Sequence, residues 1–462
     1  MRFYHGIVVL IACLFNHAVF SETASEKINS LIHQQLPHAT VGVFVKDADT
    51  GKVVYSKHAD KLLFPASSMK LFTAAAALYY FKPDHHFETT LSEKNQNIYL
   101  KFDGSPSLTK KELVSLIEQL KTNNITQIRG DFVLDTLRFK APDYPNGVSY
   151  EDLGWYYAAP DTAIMLNENA ETYAFVSAKK QGERIQIKPK TPQPALTLIN
   201  QVITVSQEQA RNHCELNIEI KPKNTLRVFG CLADNAQPRL MNLAVPDPIF
   251  LATQLIQQTL KKNKITLKGK IILGRTPTDA KPIASIQSRE LTALITRMLK
   301  ESDNLYANTL TKQLGYALTH EGSYKQGSFA IKTILHKYTQ LDMAQIDLAD
   351  GMGTRYNLIT PEQMVVLLNA IYDDEKLKPI FMKALPEAGV SGTLHDRMNK
   401  TVLEKKVFAK TGTMHDISSL SGYMINEKGK KLIFSIMING VNQPISRAKS
   451  LEEKILLILH DV

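Results

Sequence analysis

Ser67 and Lys70, in the stretch P-A-S-S-M-K-L-F-T-A-A-A-A-L from Pro65 to Leu78, put a hydroxyl and an amine three residues apart at the mouth of an alanine-rich apolar run. If a helix begins at Ser67, positions three apart share a face and positions two apart do not, so Lys70 sits beside Ser67 and away from Ser68. A serine hydroxyl is a poor nucleophile without a base, and a lysine serves as that base only when its pKa of about 10.4 falls toward neutrality. A drop of roughly 3 units, about 4 kcal/mol, is within reach of desolvation plus a nearby second cation. Alone, the pattern also describes an N-cap serine followed by a solvated lysine, and it recurs at Ser107/Lys110, Ser177/Lys180 and Ser446/Lys449.

Two further stretches change that reading. S-D-N at Ser302, Asp303 and Asn304 follows one helix-like run and opens another, and K-T-G-T at Lys410 to Thr413 lies on a strand-like run. S-x-x-K, S-D-N and K-T-G in this order form the motif set of class A β-lactamases and penicillin-binding proteins. Each is weak alone, and together they are specific. Lys410 could supply the second cation that keeps Lys70 uncharged. Gly412 lets another backbone approach a strand edge, where an extended peptide or a β-lactam could align as an added strand. Thr411 and Thr413 offer hydroxyls to a terminal carboxylate, and the N–H groups of Ser67 and Thr413 are candidates for an oxyanion hole.

The elements that must position these groups come from both ends of the chain. A-T-V-G-V-F-V-K-D-A-D-T-G-K-V-V-Y-S reads as two strands joined at Asp49-Thr50-Gly51. K-V-F-A-K-T-G-T, S-S-L-S-G-Y-M-I-N and K-K-L-I-F-S-I-M-I-N-G read as three more before a last helix, S-L-E-E-K-I-L-L-I-L-H-D-V, with a Ser450/Glu453 capping box. The expected fold class is a multidomain α/β architecture whose main sheet is antiparallel and flanked by helices. From about Phe87 to Ile283 the texture changes to short strands and Pro-rich turns, with an amphipathic helix presenting Leu113, Leu116, Ile117 and Leu120. L-K-T-N-N-I-T at Leu120–Thr126 echoes L-K-K-N-K-I-T at Leu260–Thr266, which is either a recurring helix–turn–strand unit or a local coincidence.

A chain of 462 residues, 44% hydrophobic, can bury a large core in two or more domains. Residues 1–21 read as a secretory signal peptide, with Arg2, an apolar run from Gly6 to Phe15 and small residues near Ser21. The L-I-A-C box ending at Cys13 comes too early to suit lipidation. An exported chain favours a structural disulfide between Cys214 and Cys231, which lie symmetrically about K-P-K-N on two strand-like arms; buried free thiols are the alternative. The formal net charge of +10 could favour anionic cell-wall surroundings, but the basic residues are scattered along the sequence and indicate no nucleic-acid partner. No later segment offers a membrane span. No metal or dinucleotide motif is present, so no metal or other cofactor is expected.

These motifs, with P-A-S-S-M-K, Y-E-D-L-G-W-Y-Y-A-A-P, L-N-E-N, the C-E-L and G-C-L pair, A-D-G-M-G-T-R-Y-N and L-P-E-A-G-V-S-G-T-L-H-D-R, make the chain resemble the class C low-molecular-mass penicillin-binding proteins of the penicillin-binding protein 4 type. The resemblance covers nearly the whole mature chain and implies a periplasmic D-alanyl-D-alanine carboxypeptidase/endopeptidase. Its partners would be peptidoglycan stem peptides and muropeptides, with β-lactams as covalent inhibitors. It implies a transpeptidase-like domain at 22–86 and 284–462, an outer insert at 87–110 and 188–283, and a nested insert at 111–187. It also implies roles: Ser67 as nucleophile, Lys70 as base, Ser302 as proton relay, Asn304 on the substrate amide, and Lys410, Thr411 and Thr413 on the carboxylate. Asp152 matches the acidic residue that meets the free amine of diaminopimelate, and Arg355 matches the arginine after D-G-S-G. Where relatives tend to read D-G-S-G-L-S-R, this chain runs from Asp350 to Arg355 one residue shorter, with Met352 in place of the first serine.

Two rival readings share the motifs. A class A β-lactamase would need a further glutamate for deacylation, and no E-x-x-L-N lies between Asn304 and Lys410. A non-catalytic penicillin-binding scaffold or sensor would not need Ser67, Lys70, Ser302, Asn304 and Lys410 all intact. Sequence leaves the oligomeric state open.

Overall fold

The structure is a computed structural model that describes residues 23–235 and 237–462; the expected signal peptide and Cys13 lie outside the described residues. The elements that build the site, in chain order, are β1 (Thr40–Asp47), β2 (Val53–Lys57), α1 (Lys70–Phe81), α2 (Lys110–Thr122), α3 (Pro248–Lys262), α4 (Asn304–Thr319), β3 (Val407–Met414), β4 (Ile417–Ile425), β5 (Lys431–Asn439) and α5 (Ile445–His460). The two chain ends meet in one antiparallel sheet of order β3-β4-β5-β1-β2, with β1 and β5 paired from Thr40↔Asn439 to Asp47↔Leu432.

Side-chain alternation makes that sheet the middle of three layers. On β5, Leu432, Phe434, Ile436 and Ile438 face a core shared with α5 and helix Ala24–Gln35, while Ile433 and Met437 face the helical core around α1. α1 is buried from Lys70 to Leu78, so its run of small alanines serves close approach by neighbouring helices. α5 differs from the sequence reading. It starts earlier, at Ile445 after Pro444, which leaves Ser450 inside the helix and no Ser450/Glu453 box; Glu453 instead accepts from Arg397 Nε at 2.7 Å.

The middle of the chain builds separate sheets over their own hydrophobic core. The echoed stretches are a structural repeat: α2 and α3 pack together, and the strands after them, Gln127–Ile128 and Thr266–Leu267, pair in parallel. The next strands, Phe132–Asp135 and Ile271–Leu273, also pair in parallel, within a five-stranded sheet that includes Glu88–Lys94, Asn97–Lys101 and Lys281–Gln287. That pairing joins residues on the two sides of the expected nested-insert limit. Residues 110–135 share a sheet and a helix pair with 248–287, whereas strands from 170 to 244 form two smaller sheets of their own.

Cys214 and Cys231 form a disulfide, with Cα atoms 5.4 Å apart. The antiparallel register Leu216↔Gly230 brings them together, as the symmetric spacing anticipated. Among the described residues, no helix is long and apolar enough to cross a membrane.

Candidate active site

Ser67 lies not on α1 but on the 3₁₀ turn Ala66–Met69 that leads into it. In a 3₁₀ turn residues three apart eclipse one another, so Lys70 still faces Ser67: Lys70 Nζ is 2.8 Å from Ser67 Oγ. Ser68 points the other way. Its hydroxyl is buried, 2.8 Å from Ser419 Oγ on β4 and 3.4 Å from the Lys410 carbonyl. Two glycines let other segments press on this turn. A Cβ on Gly412 would stand 2.6 Å from the Pro65 carbonyl oxygen, and one on Gly353, at φ +100°, would stand 1.9 Å from that of Ala66.

The other two motifs close on the same point. Lys70 Nζ donates to Asn304 Oδ1 at 2.7 Å and to the Met352 carbonyl at 3.1 Å. Lys410 Nζ is 2.9 Å from Ser302 Oγ and donates to the Thr411 carbonyl at 2.8 Å. Ser302 sits in the left-handed region at φ 57°, a strained conformation for a residue other than glycine, at the junction before α4. Asp303 caps α4 by accepting from the Tyr306 N–H, which fixes Asn304 at the first helical position.

Both lysines are fully buried. Burial pulls Lys70 down to about 7, opposed by the carboxylates of Asp303 and Asp350. Desolvation is the leading cause at both amines, and a charge on either would repel the other. Burial, then the proximity of Lys70, lowers Lys410 well below the ordinary lysine range.

A cavity of about 410 Å³ opens from Ser67 and is lined also by Asn304, Thr413, Asp152, Tyr157, Met352, Arg355 and His415. Thr411 is not on that wall; its hydroxyl donates to Thr393 Oγ1 at 2.7 Å. Asp152 is on it and accepts from the Tyr157 hydroxyl at 2.8 Å. Arg355 also lines it and makes an ion pair of 2.6 Å with Asp416, both side chains being partly exposed. Nothing in the sequence singled out Tyr157, although it lies inside a stretch that carries the resemblance. Its carbonyl accepts from Asn304 Nδ2 at 2.8 Å while its hydroxyl orients Asp152.

The shortened Asp350–Arg355 segment keeps its place through Asp350. This buried carboxylate accepts from the N–H groups of Met352 (2.9 Å), Gly353 (2.7 Å) and Thr354 (3.3 Å), from the Thr354 hydroxyl, and from Asn357 Nδ2 (2.9 Å). Met352 contributes its carbonyl to Lys70, a group that the exchange of serine for methionine leaves unchanged.

A third buried lysine holds the opposite wall. Lys312, two turns along α4 from Asn304, donates to the carbonyls of Pro142 (2.9 Å), Asp161 (2.8 Å) and Lys140 (3.4 Å). The Asp161 carboxylate accepts from Asn308 Nδ2 at 2.8 Å and from the Tyr324 hydroxyl. Residues 140–161, which carry Asp152 and Tyr157, are thereby pinned to the helix that carries Asn304. Among the described residues, no group of acidic, histidine or cysteine side chains could hold a metal ion.

The arrangement is that of a serine acyl-transfer site, and comparison with known proteins agrees. Residues 24–458 match the D-Ala-D-Ala carboxypeptidase 3 (S13) family. The chain belongs to this family. It is 32% identical over 436 residues to the D-alanyl-D-alanine carboxypeptidase DacB of Haemophilus influenzae, covering 91% of this chain and 90% of that one. It is 31% identical to the D-alanyl-D-alanine carboxypeptidase of Actinomadura sp. over 91% of this chain and 81% of that one. The crystal structure of penicillin binding protein 4 (dacB) from H. influenzae superposes with a TM-score of 0.86 at 29% identity, covering 94% of this chain and 99% of that one. The same H. influenzae protein complexed with a β-lactam gives a TM-score of 0.81. Membership of the S13 family makes this chain a serine D-Ala-D-Ala carboxypeptidase with a penicillin-binding-protein fold.

Proposed function

We propose that the protein is a periplasmic enzyme that removes the terminal D-alanine of peptidoglycan stem peptides, also opens DD-cross-links, and is acylated by penicillins. One observation carries this reading: two buried lysines each contact a serine hydroxyl, Lys70 on Ser67, which lines the cavity, and Lys410 on Ser302, two residues before the Asn304 that lines it and bonds Lys70. Ser67 attacks the carbonyl of the penultimate D-alanine as uncharged Lys70 takes its proton, giving a tetrahedral intermediate held by the N–H groups of Ser67 and Thr413. Ser302, bonded to Lys410, passes a proton to the departing amine, leaving an acyl-enzyme. Water then releases the peptide and restores Ser67.

Asn304 holds the substrate amide, and Thr413, with Lys410, Thr411 and Gly412, receives the terminal carboxylate at the β3 edge. Thr411 must leave Thr393 to contribute. Asp152 meets the free amine of diaminopimelate, while Arg355, paired with Asp416, borders that subsite. We assign 23–86 and 288–462 to the catalytic domain, 87–135 and 246–287 to the outer insert, and the described residues of 136–245 to the nested insert; the parallel pairing of 127–134 with 266–273 supports this division.

Incubation with a disaccharide pentapeptide and with cross-linked dimers tests this, with free D-alanine and monomer formation as readouts. Both products are expected. No release together with rapid nitrocefin turnover would indicate a β-lactamase, and neither activity would indicate a binding scaffold.

A further inference from the structure

The basic residues that read as scattered along the sequence converge where the structural repeat closes. Lys261, Lys262, Lys264, Lys268 and Lys270 fall within ten residues, and parallel pairing of Thr266–Leu267 with Gln127–Ile128 sets them beside Lys121 and Arg129. Lys121, Lys261 and Lys262 need no further explanation, because they occupy the last turns of α2 and α3, where the helix dipole favours cations. Arg129, Lys264, Lys268 and Lys270 lie beyond those turns. All four are exposed, and none has an acidic partner among the described residues. Of the carboxylates on this edge, Glu118 pairs with Lys262, Asp131 accepts from the Lys270 N–H, and Glu93, which lines the groove described below, pairs with Lys281 at 3.8 Å.

The pairing continues past the strands: the Lys268 N–H donates to the Ile128 carbonyl at 2.9 Å, and that of Gly269 to the Gly130 carbonyl at 3.2 Å. Lys268 and Arg129 therefore stand side by side across the ribbon, like charges at a spacing that weakens a sheet. Arg129 also lines a groove of about 620 Å³, larger than the catalytic cavity and sharing no residue with it. Asn95, Gln96, Asn124 and Gln127 contribute amides to that groove, and it has no aromatic side chain on which a nucleic-acid base could stack.

We propose that this edge of the outer insert is a second, non-catalytic binding site for the peptidoglycan polymer itself. Amides in the groove match sugar hydroxyl and N-acetyl groups, and Arg129, Lys264, Lys268 and Lys270 match the carboxylates of the stem peptides. The proposal rests on the substrate assignment above. A bilayer fits less well: the two loops at residues 121–130 and 261–270 expose no large apolar side chain, and the nearest, Ile272 and Leu273, lie further along the edge strand. Holding the polymer at a second point raises the local concentration of stem peptides at Ser67 without any change in the chemistry.

The test compares the full chain with a variant carrying Arg129→Gln, Lys264→Gln and Lys268→Gln. Sedimentation with insoluble sacculi at low salt is expected to show binding at least about 10-fold weaker for the variant, with a shallower salt dependence. Amidating the carboxylates of the sacculi should weaken wild-type binding similarly. D-alanine release from soluble disaccharide pentapeptide and labelling by a fluorescent penicillin should be unchanged, which also establishes that the variant is folded. Undiminished sacculus binding by the variant would overturn the proposal, as would a loss confined to phosphatidylglycerol vesicles, which would assign the patch to a membrane surface. Failure of the substrate assignment shows separately, as wild-type protein that releases no D-alanine from soluble peptide.

Discussion

Lys70 and Lys312 are equally sealed from solvent, yet their partners suit them to opposite tasks. Lys312 faces three carbonyl oxygens, which accept only, so all three of its hydrogens are required and the ammonium form is the one that fits. Lys70 faces the Asn304 amide oxygen, the Met352 carbonyl and the Ser67 hydroxyl, and a hydroxyl can also donate. A neutral amine with two hydrogens and one lone pair satisfies that set completely. Burial lowers both lysines and two carboxylates oppose it at each, Asp161 and Asp143 at Lys312 and Asp303 and Asp350 at Lys70, so the hydrogen-bond partners make the difference. Burial alone does not make a base; a partner able to give up a proton does.

The largest expected effect comes from removing one member of the comparison. Lys70→Met should slow acylation by a fluorescent penicillin by about 10²–10⁴-fold, the range for loss of a positioned base, while leaving the protein folded. It should also raise stability at neutral pH. The folded pKa of Lys70 is depressed, so the unfolded chain binds a proton that the native one gives up between about 7 and 10.4. The resulting penalty, on the order of 5 kcal/mol, is full below pH 7 and fades as pH rises to 10.4. Denaturant titrations of wild type and variant should therefore differ most at and below pH 7 and converge toward pH 10.

Lys312→Met should invert this pattern. It leaves three buried carbonyls without a donor, so unfolding free energy should drop by about 3–5 kcal/mol. Penicillin acylation should stay within about threefold of wild type, while kcat/KM for diaminopimelate peptides falls about 10-fold as the wall bearing Asp152 loosens. Equal losses on both substrates would mean that the junction supports the fold alone.

Asp152→Ala is expected to raise KM for diaminopimelate peptides about 10-fold and to leave a simple D-Ala-D-Ala mimic nearly unaffected, since it removes one charge contact worth about 1–2 kcal/mol. Smallest of all should be Ser68→Ala. Labelling should persist, with a stability loss of about 1 kcal/mol for one buried hydrogen bond, because Ser419 keeps a second partner in the Pro65 carbonyl at 2.6 Å.

The sequence carried the catalytic side of this comparison and not the other. S-x-x-K is legible because three-residue spacing survives whether the backbone is α-helical or 3₁₀, and the sheet is legible because alternation and turn residues mark its strands. Lys312 was silent, since its acceptors are backbone carbonyls from residues 140–161, which no side-chain pattern announces. The run of lysines from 261 to 270 is visible in the sequence, but that Arg129 stands beside it depends on parallel pairing between segments well over a hundred residues apart. Asp350 shows the converse, a residue visible in a motif whose work, holding five donors so that the Met352 carbonyl reaches Lys70, appears only in three dimensions.

The most direct test is the pH dependence of the single-turnover acylation rate with a chromogenic β-lactam. If the Lys70 amine is the base, the rate climbs through an apparent pKa near 7 and levels off above it, and Lys70→Met loses the limb. A rate that is flat from pH 5 to 9, or that rises only toward pH 10, would contradict activation of Ser67 by an uncharged lysine.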